Sequence, residues 1–420
     1  MVVAFFIVLL AVGVPVAFVL ALTALFYIFA SGNTILLDSY PQQFYGGLEN
    51  YGLLALPLFI LVGECMNEGG IARRLMAMAA ALIGSIRGGL AYINLLSNMM
   101  MASILGSTVA QITIMSRVAV PEMERVGYPR DQAMAITSAG GMLAPIIPPS
   151  MLFVIFGVIA QISIGDLFIA GIIPGVILGL AFFAVLGWMA RRHDFPATEP
   201  LGWRCRVKAL RDGLAAGLIP LLIVGSILGG LATPTEAAAL ACLASILVGR
   251  FVYREFDLRA LWPALVRTAR NSSIVLVLIA AANLFSWVIT YENLPALAAQ
   301  WIQAAAGSPQ TFLLLVTLAL LAVGMVLDPI PALILVVPVL LPVATGVYHI
   351  SAFHFGVIVC LTLVMGLLTP PVGSALFTAS ALSGVRAERL ALLLLPYLLV
   401  MLVVMLLLIF VPSLTTVLIR

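Results

Sequence analysis

Few residues in this chain could hold a polar solute inside an apolar body, and they cluster at interruptions. Gly106, Ser107 and Thr108, with Ser103 one turn earlier, break one apolar run; Gly324, Asp328 and Pro329 break another. Each is followed by a second broken run, one at Ala144-Pro145-Ile146-Ile147-Pro148-Pro149-Ser150. Its counterpart runs from Gly366 through Thr369, Pro370 and Pro371 to Ser374. Backbone that leaves helical geometry at membrane depth must lie within protein or beside a watery cavity, because lipid offers it no partner. Carbonyls freed at such breaks suit a hard cation such as Na+. The N–H groups and positive dipole end of a helix restarting there suit an anion. Asp328 is the one acid clearly at the depth of a break. It could ligate or offset a cation, or cap the helix that starts at Pro329, and these roles are compatible.

The elements around these breaks must be membrane helices. The composition is 63% hydrophobic and 9% charged, with mean hydropathy +1.21, which excludes a soluble globular domain. Short alternating segments of the kind a β-barrel needs are missing. A net charge of +3 is too small to point to nucleic acid. The start, MVVAFFIVLLAVGVPVAF, lacks a basic leader and reads as a first span rather than a signal peptide. That span, 1–13, is short against the roughly 20 residues that cross the hydrocarbon, so either it is abbreviated or the natural start lies upstream.

The chain repeats itself. Pro148-Pro149 returns as Pro370-Pro371, 222 positions on, and at the same offset Gly106-Ser107 falls on Asp328-Pro329. Gly13-Val14-Pro15 resembles Ala232-Thr233-Pro234. The expected architecture is an all-α polytopic membrane protein of two inverted repeats, residues 1–190 and 213–420, joined by a polar linker at 191–212. Each repeat holds five spans and one re-entrant hairpin. The hairpins lie at 89–120, closing at Pro121, and at 309–342; the broken spans lie at 130–161 and 352–381. Residues 32–50 read as a polar loop, 71–86 as an amphipathic interfacial helix, 250–270 as a basic interfacial segment before a span at 271–290, and 292–306 as interfacial.

Charge supports this arrangement. If 191–212 is cytoplasmic, 19 of the 20 basic residues fall on that side, and only Arg420 falls outside. The loops expected to be external carry no Lys or Arg, so both termini should be external.

Other polar residues have plainer readings. Glu236, soon after Pro234, reads as a helix start. Glu64, near a helix end, reads as structural, and Asn94, Ser97 and Asn98 as partners for neighbouring helices. Cys65, Cys205, Cys242 and Cys360 have no pair spacing and read as small buried residues. His349 and His354 fall in an external loop without an acid cluster, so no metal site or enzyme emerges.

The strings Pro57–Glu64, Gly69–Leu75, Arg87–Leu90, Ala144–Ser150, Ala170–Gly175, Thr233–Ala238 and Leu367–Gly373 together resemble the large membrane subunit of tripartite ATP-independent periplasmic (TRAP) transporters. The resemblance covers essentially the whole chain. It implies a Na+-driven importer of an organic anion in the bacterial inner membrane, working with a small four-helix membrane subunit and a periplasmic substrate-binding protein. It also implies an elevator, in which hairpins and broken spans move against a scaffold. Family cation sites carry over to Ser103, Gly106, Ser107, Ala144, Ile147 and Pro149 in the first half. The repeat extends them to Gly324, Asp328, Gly366, Thr369 and Pro371 in the second. Substrate would then meet Ser107, Thr108, Pro148, Ser150, Pro329, Pro370 and Ser374. Leu105 and Gln111 stand where family members often carry serine and aspartate, and Ala144 where glycine is common, which leaves backbone carbonyls to serve the first cation. A stand-alone Na+/carboxylate symporter of related fold, and an uncoupled channel or scaffold, are the rival readings.

Overall fold

The computed structural model describes all residues except 193–194, 197–201, 293–299, 301 and 420, and the side chains of residues 3 and 103–105. The described chain is helical throughout, with no strand. Among the described residues, seven helices are long and apolar enough to cross a bilayer, one of them a hairpin arm. The other expected crossings are made of shorter helices, such as Val16–Ser31 and the two halves of each broken span.

The helices can be followed as two groups, which also pack on each other, most extensively where Ile71–Ile83 meets the first hairpin arm Gly89–Leu105. In one, helices Ala55–Glu68 and Ile71–Ile83 pack against Pro234–Leu247 and Trp203–Leu228, and helix Leu258–Tyr291 lies across Val16–Ser31 and Ala55–Glu68. The other holds both hairpins, both broken spans, helix Ile164–Arg192 and helix Ala387–Phe410. Within it the halves interlock: the second arm of the first hairpin packs on helix Ser374–Ser383, and Met151–Ala160 packs on the second hairpin's arm Pro329–Gly346.

Several elements differ from the sequence expectation. Residues 250–270 and 271–290 are not two segments; a single helix runs from Leu258 to Tyr291, 34 residues. After Pro263 it contains neither Gly nor Pro, and the polar turn Arg270-Asn271-Ser272-Ser273 changes the helix's surroundings without breaking its hydrogen bonding. At 1.5 Å per residue it is about 51 Å long, well beyond the roughly 30 Å of hydrocarbon.

The linker is likewise partly helical, since Trp203–Leu228 begins within it and Arg206 donates to the Ala81 carbonyl at 2.9 Å. Residues 32–50 contain a helix, Leu36–Gly46, despite Pro41. Long-range bonds hold it there: Tyr40 donates to the Ala21 carbonyl at 3.0 Å and Asn283 to the Gln43 carbonyl at 2.7 Å. The first hairpin's second arm continues through Pro121 to Arg125. Helix Ile71–Ile83 buries Ile71, Leu75 and Met78 against Trp203–Leu228 instead of leaving that face for lipid. His354 is buried in helix Ala352–Gly366 and bonded to Thr415 at 2.8 Å, not placed in a loop. Cys205 is exposed; the other three cysteines are buried. Most of the segment 292–306 lies outside the described residues.

Ion pairs join the two halves of the chain. Arg267 donates to Glu64 at 2.7 Å and to Glu68 at 2.6 Å. Glu255 receives Arg73 and Arg74 at 2.8 and 2.9 Å, and Arg74 also lies 3.8 Å over the Tyr253 ring. The hydrogen bond from Arg74 holds the Glu255 carboxyl below the usual carboxylate range, with the charges of both arginines adding to it.

Candidate functional site

The first hairpin is built from helices Gly89–Leu105 and Thr108–Arg125. Gly106 turns the chain with φ +57°, a conformation glycine adopts without penalty. A Cβ on Gly106 would also stand 3.0 Å from the Met151 nitrogen, so the tip sits directly on the restart of the first broken span. Ser107 is extended and makes no side-chain cap bond, although it occupies the cap position. Thr108 is buried, 2% exposed, and its hydroxyl has no hydrogen-bond partner.

The first broken span stops at Gly141 and restarts at Met151. Ser150 holds this break closed: its hydroxyl donates to the Pro145 carbonyl at 2.5 Å and accepts from the Phe153 N–H at 3.3 Å. Ser150 is therefore a buried brace for the break. Pro148 and Pro149 face away from the hairpin tips and pack among Phe168, Ile172 and Ile223. Ala144 is fully buried, and Ile147 packs against Gly175. The side chain of Ser103 lies outside the described residues.

A buried polar network braces the first hairpin against this span. Gln111 donates to the Asn98 carbonyl and side-chain oxygen at 2.7 and 2.9 Å, Asn98 to Asn94 at 2.8 Å, and Asn94 to Thr137 at 2.8 Å. One Gln111 oxygen remains without a hydrogen-bond partner.

The second hairpin joins Pro309–Gly324 to Pro329–Gly346, and its broken span joins Ala352–Gly366 to Ser374–Ser383. Gly324 and Gly366 touch backbone to backbone: a Cβ on Gly366 would lie 2.5 Å from the Gly324 carbonyl carbon. The Gly373 N–H donates to the Met325 carbonyl at 2.8 Å. Asp328 stands at the cap position of its helix but makes no cap bond; its carboxylate instead accepts from the Ser374 hydroxyl at 2.6 Å. Thr369 donates to the Met365 carbonyl at 2.7 Å. Pro370 and Pro371 are exposed and lie outside the cavities described next.

The two tips face one cavity of about 370 Å³, whose wall includes Gly106, Ser107, Thr108, Asp328, Pro329 and Leu278. A neighbouring cavity of about 340 Å³ shares Ser107, Met151, Ile274 and Val275 with it and continues to Glu64, Asn67 and Asn271. Helix Leu258–Tyr291 thus supplies one wall of both. Its Ile274, Val275 and Leu278 gave no sequence signal, because apolar cavity lining looks like any other membrane helix. Glu64 was legible only as a structural acid; it lines the second cavity, paired with Arg267.

Two helical hairpins that converge on a cavity within an apolar helical body define a membrane transport protein. The same fold occurs in the crystal structure of the Alcanivorax borkumensis YdaH transporter, with TM-score 0.66 and 16% identity over 90% of this chain and 88% of that one. The chain belongs to the tripartite ATP-independent periplasmic transporter family, DctM component, whose model matches residues 3–414. It is 34% identical over 405 residues to the 2,3-diketo-L-gulonate TRAP transporter large permease protein YiaN of Escherichia coli, covering 96% of this chain and 95% of that protein. It is 36% identical over 365 residues to the C4-dicarboxylate TRAP transporter large permease protein DctM of Pseudomonas aeruginosa, covering 87% and 85%. These relatives are transporter permeases, not enzymes.

Proposed function

We propose that this chain is the large membrane subunit of a Na+-coupled importer of an organic anion in the bacterial inner membrane. A periplasmic binding protein delivers the solute, and a small four-helix membrane subunit completes the scaffold. The observation that carries this reading is the convergence of both hairpin tips on one cavity, with Asp328 tied to Ser374 across the second tip.

In this reading the halves are inverted repeats, with both termini periplasmic and the arginine-rich segments cytoplasmic. Na+ is a co-substrate. Backbone carbonyls around Gly106 and Ala144 receive one ion; the Asp328 carboxylate and carbonyls near Gly324, Gly366 and Thr369 receive another. Oxygen ligands of this kind suit a hard cation. The group holding the hairpins and broken spans moves as an elevator against the group holding helix Leu258–Tyr291. The apolar seam at Ile274, Val275 and Leu278 supports this division, since it offers sliding contact without hydrogen bonds to break.

Uptake of labelled solute into proteoliposomes, with and without a Na+ gradient and the cognate binding protein, tests the reading. Uptake that needs both upholds it. Uptake driven by Na+ alone would make the chain a stand-alone symporter, and uptake indifferent to Na+ would make it an uncoupled pore.

A further inference from the structure

A third cavity, of about 290 Å³, lies further along helix Leu258–Tyr291, where Asn283, Ser286 and Thr290 face it. Its opposite wall is the end of helix Met151–Ala160 and the second hairpin arm at Pro338 and Leu341, so it spans the seam between the two helical groups. It shares no residue with the two cavities at Ser107. Polar atoms face this space as much as carbon does.

Three amides line it, and one backbone bond orients each. Asn283 donates to the Gln43 carbonyl at 2.7 Å, Gln161 donates to the Val158 carbonyl at 2.9 Å, and Asn50 accepts from the Gly52 N–H at 2.8 Å. These bonds fix which end of each amide is used. The side-chain oxygens of Asn283 and Gln161 and the amide nitrogen of Asn50 are left over, without a hydrogen-bond partner among the described residues. Ser286 adds a hydroxyl. A helical serine or threonine often donates to the carbonyl four residues back, as Ser273 and Thr290 do on this helix, but Ser286 makes no such bond.

The free groups are thus two acceptors, one donor and one hydroxyl that serves as either. No charged residue lines the cavity, and the charges nearest to it in sequence, Glu49 and Glu292, are acids. A carboxylate would meet amide oxygens and no cation, and an apolar guest would leave all four groups unpaired. Neighbouring hydroxyls, each donor and acceptor, match the set.

We infer that this cavity is a second ligand site, for a small uncharged polyol, and that its occupant holds the two helical groups in the arrangement seen here. The ligand bonds Asn283 and Ser286 on one group and Gln161 on the other, so it favours the arrangement that brings them together. The effect on transport rests on the proposed elevator; the binding does not.

Saturation-transfer NMR of D-glucitol with the purified membrane complex in lipid nanodiscs tests the site. Transfer should be saturable, and Ser286→Leu, which fills the cavity, should abolish it. Ser286→Ala should raise the half-saturating concentration about threefold or more, as for one lost hydrogen bond. D-Gluconate, the carboxylate of similar size, should not displace D-glucitol even at tenfold higher concentration. No saturable transfer, wild-type transfer in Ser286→Leu, or displacement by gluconate at equal concentration would overturn the site. If Ser286→Leu cannot be purified folded, Ser286→Ala and the gluconate comparison decide. In proteoliposomes, saturating D-glucitol should slow solute uptake by wild type and not by Ser286→Leu. Binding with no slowing of uptake would overturn the holding role and leave the site standing. Absence of Na+-driven uptake altogether would sink the transport reading and leave the binding result untouched.

Discussion

The Ser374 hydroxyl donates to the Asp328 carboxylate at 2.6 Å across 46 residues of sequence, joining the second hairpin tip to the restart of the second broken span. A lone carboxylate at a helix start would ordinarily turn back to cap its own N–H groups. Here Pro329 and Pro331 remove two of those donors, and the carboxylate is free to face the neighbouring element. The cation reading of Asp328 draws on this geometry. Ser374→Ala removes the bond that aims the carboxylate, and should raise the Na+ concentration for half-maximal uptake severalfold with little change in thermal stability. An unchanged Na+ dependence would count against the positioning role.

Gly366 is a steric necessity. A methyl group there would meet Gly324 backbone atoms at 2.5–2.9 Å, and no flexible side chain can yield. Gly366→Ala should therefore force the hairpin from its broken span and destabilise the protein by about 1–3 kcal/mol. The check is a lowered unfolding temperature in detergent; an unchanged one would show that the backbones part without cost.

The Gln111 amide satisfies both oxygens of Asn98 in a site closed to solvent. Gln111→Leu should leave those oxygens without their donor and cost roughly 1–3 kcal/mol. Thermal unfolding measures it, and wild-type stability would show that the network relaxes to other partners.

Glu255 supplies a pH dependence. Its carboxyl is held below the usual range, first by the Arg74 hydrogen bond, so it binds fewer protons folded than unfolded. The associated stabilisation is present above the unfolded-state value of about 4.3 and is lost as pH falls through the lower folded value. Wild type should exceed Glu255→Gln in unfolding temperature at pH 7 by a small margin, since the carboxylate is partly exposed. That margin should shrink as pH falls below the unfolded-state value of about 4.3 and close once the lower folded value is passed. A margin independent of pH would assign the effect to packing instead.

The breaks were legible because they are written in residues that cannot do otherwise: Gly106 needs its positive φ, and the Pro148-Pro149 and Pro370-Pro371 pairs cannot continue a helix. The buried roles of Asn94 and Asn98 were also readable, since amides within a span must find partners. Helix Leu36–Gly46 was hidden because it is fixed by bonds to Ala21 and Asn283, distant in sequence. The unbroken course of helix Leu258–Tyr291 past Arg270 is not legible in sequence, because a polar turn marks a change of environment as readily as a change of structure. Which prolines face the cavity could not be read either: Pro329 and Pro145 line it while Pro148 turns away, and only the packing of the whole group decides that.

In the proposed function, Asp328 couples Na+ to the solute. The direct measurement is the Na+ dependence of solute uptake by Asp328→Ala in proteoliposomes with the binding protein and the small subunit present, beside wild type. Wild-type uptake should rise with the Na+ gradient, and Asp328→Ala should lose most of this activation while remaining folded and inserted. Uptake by Asp328→Ala with the wild-type Na+ dependence would contradict it.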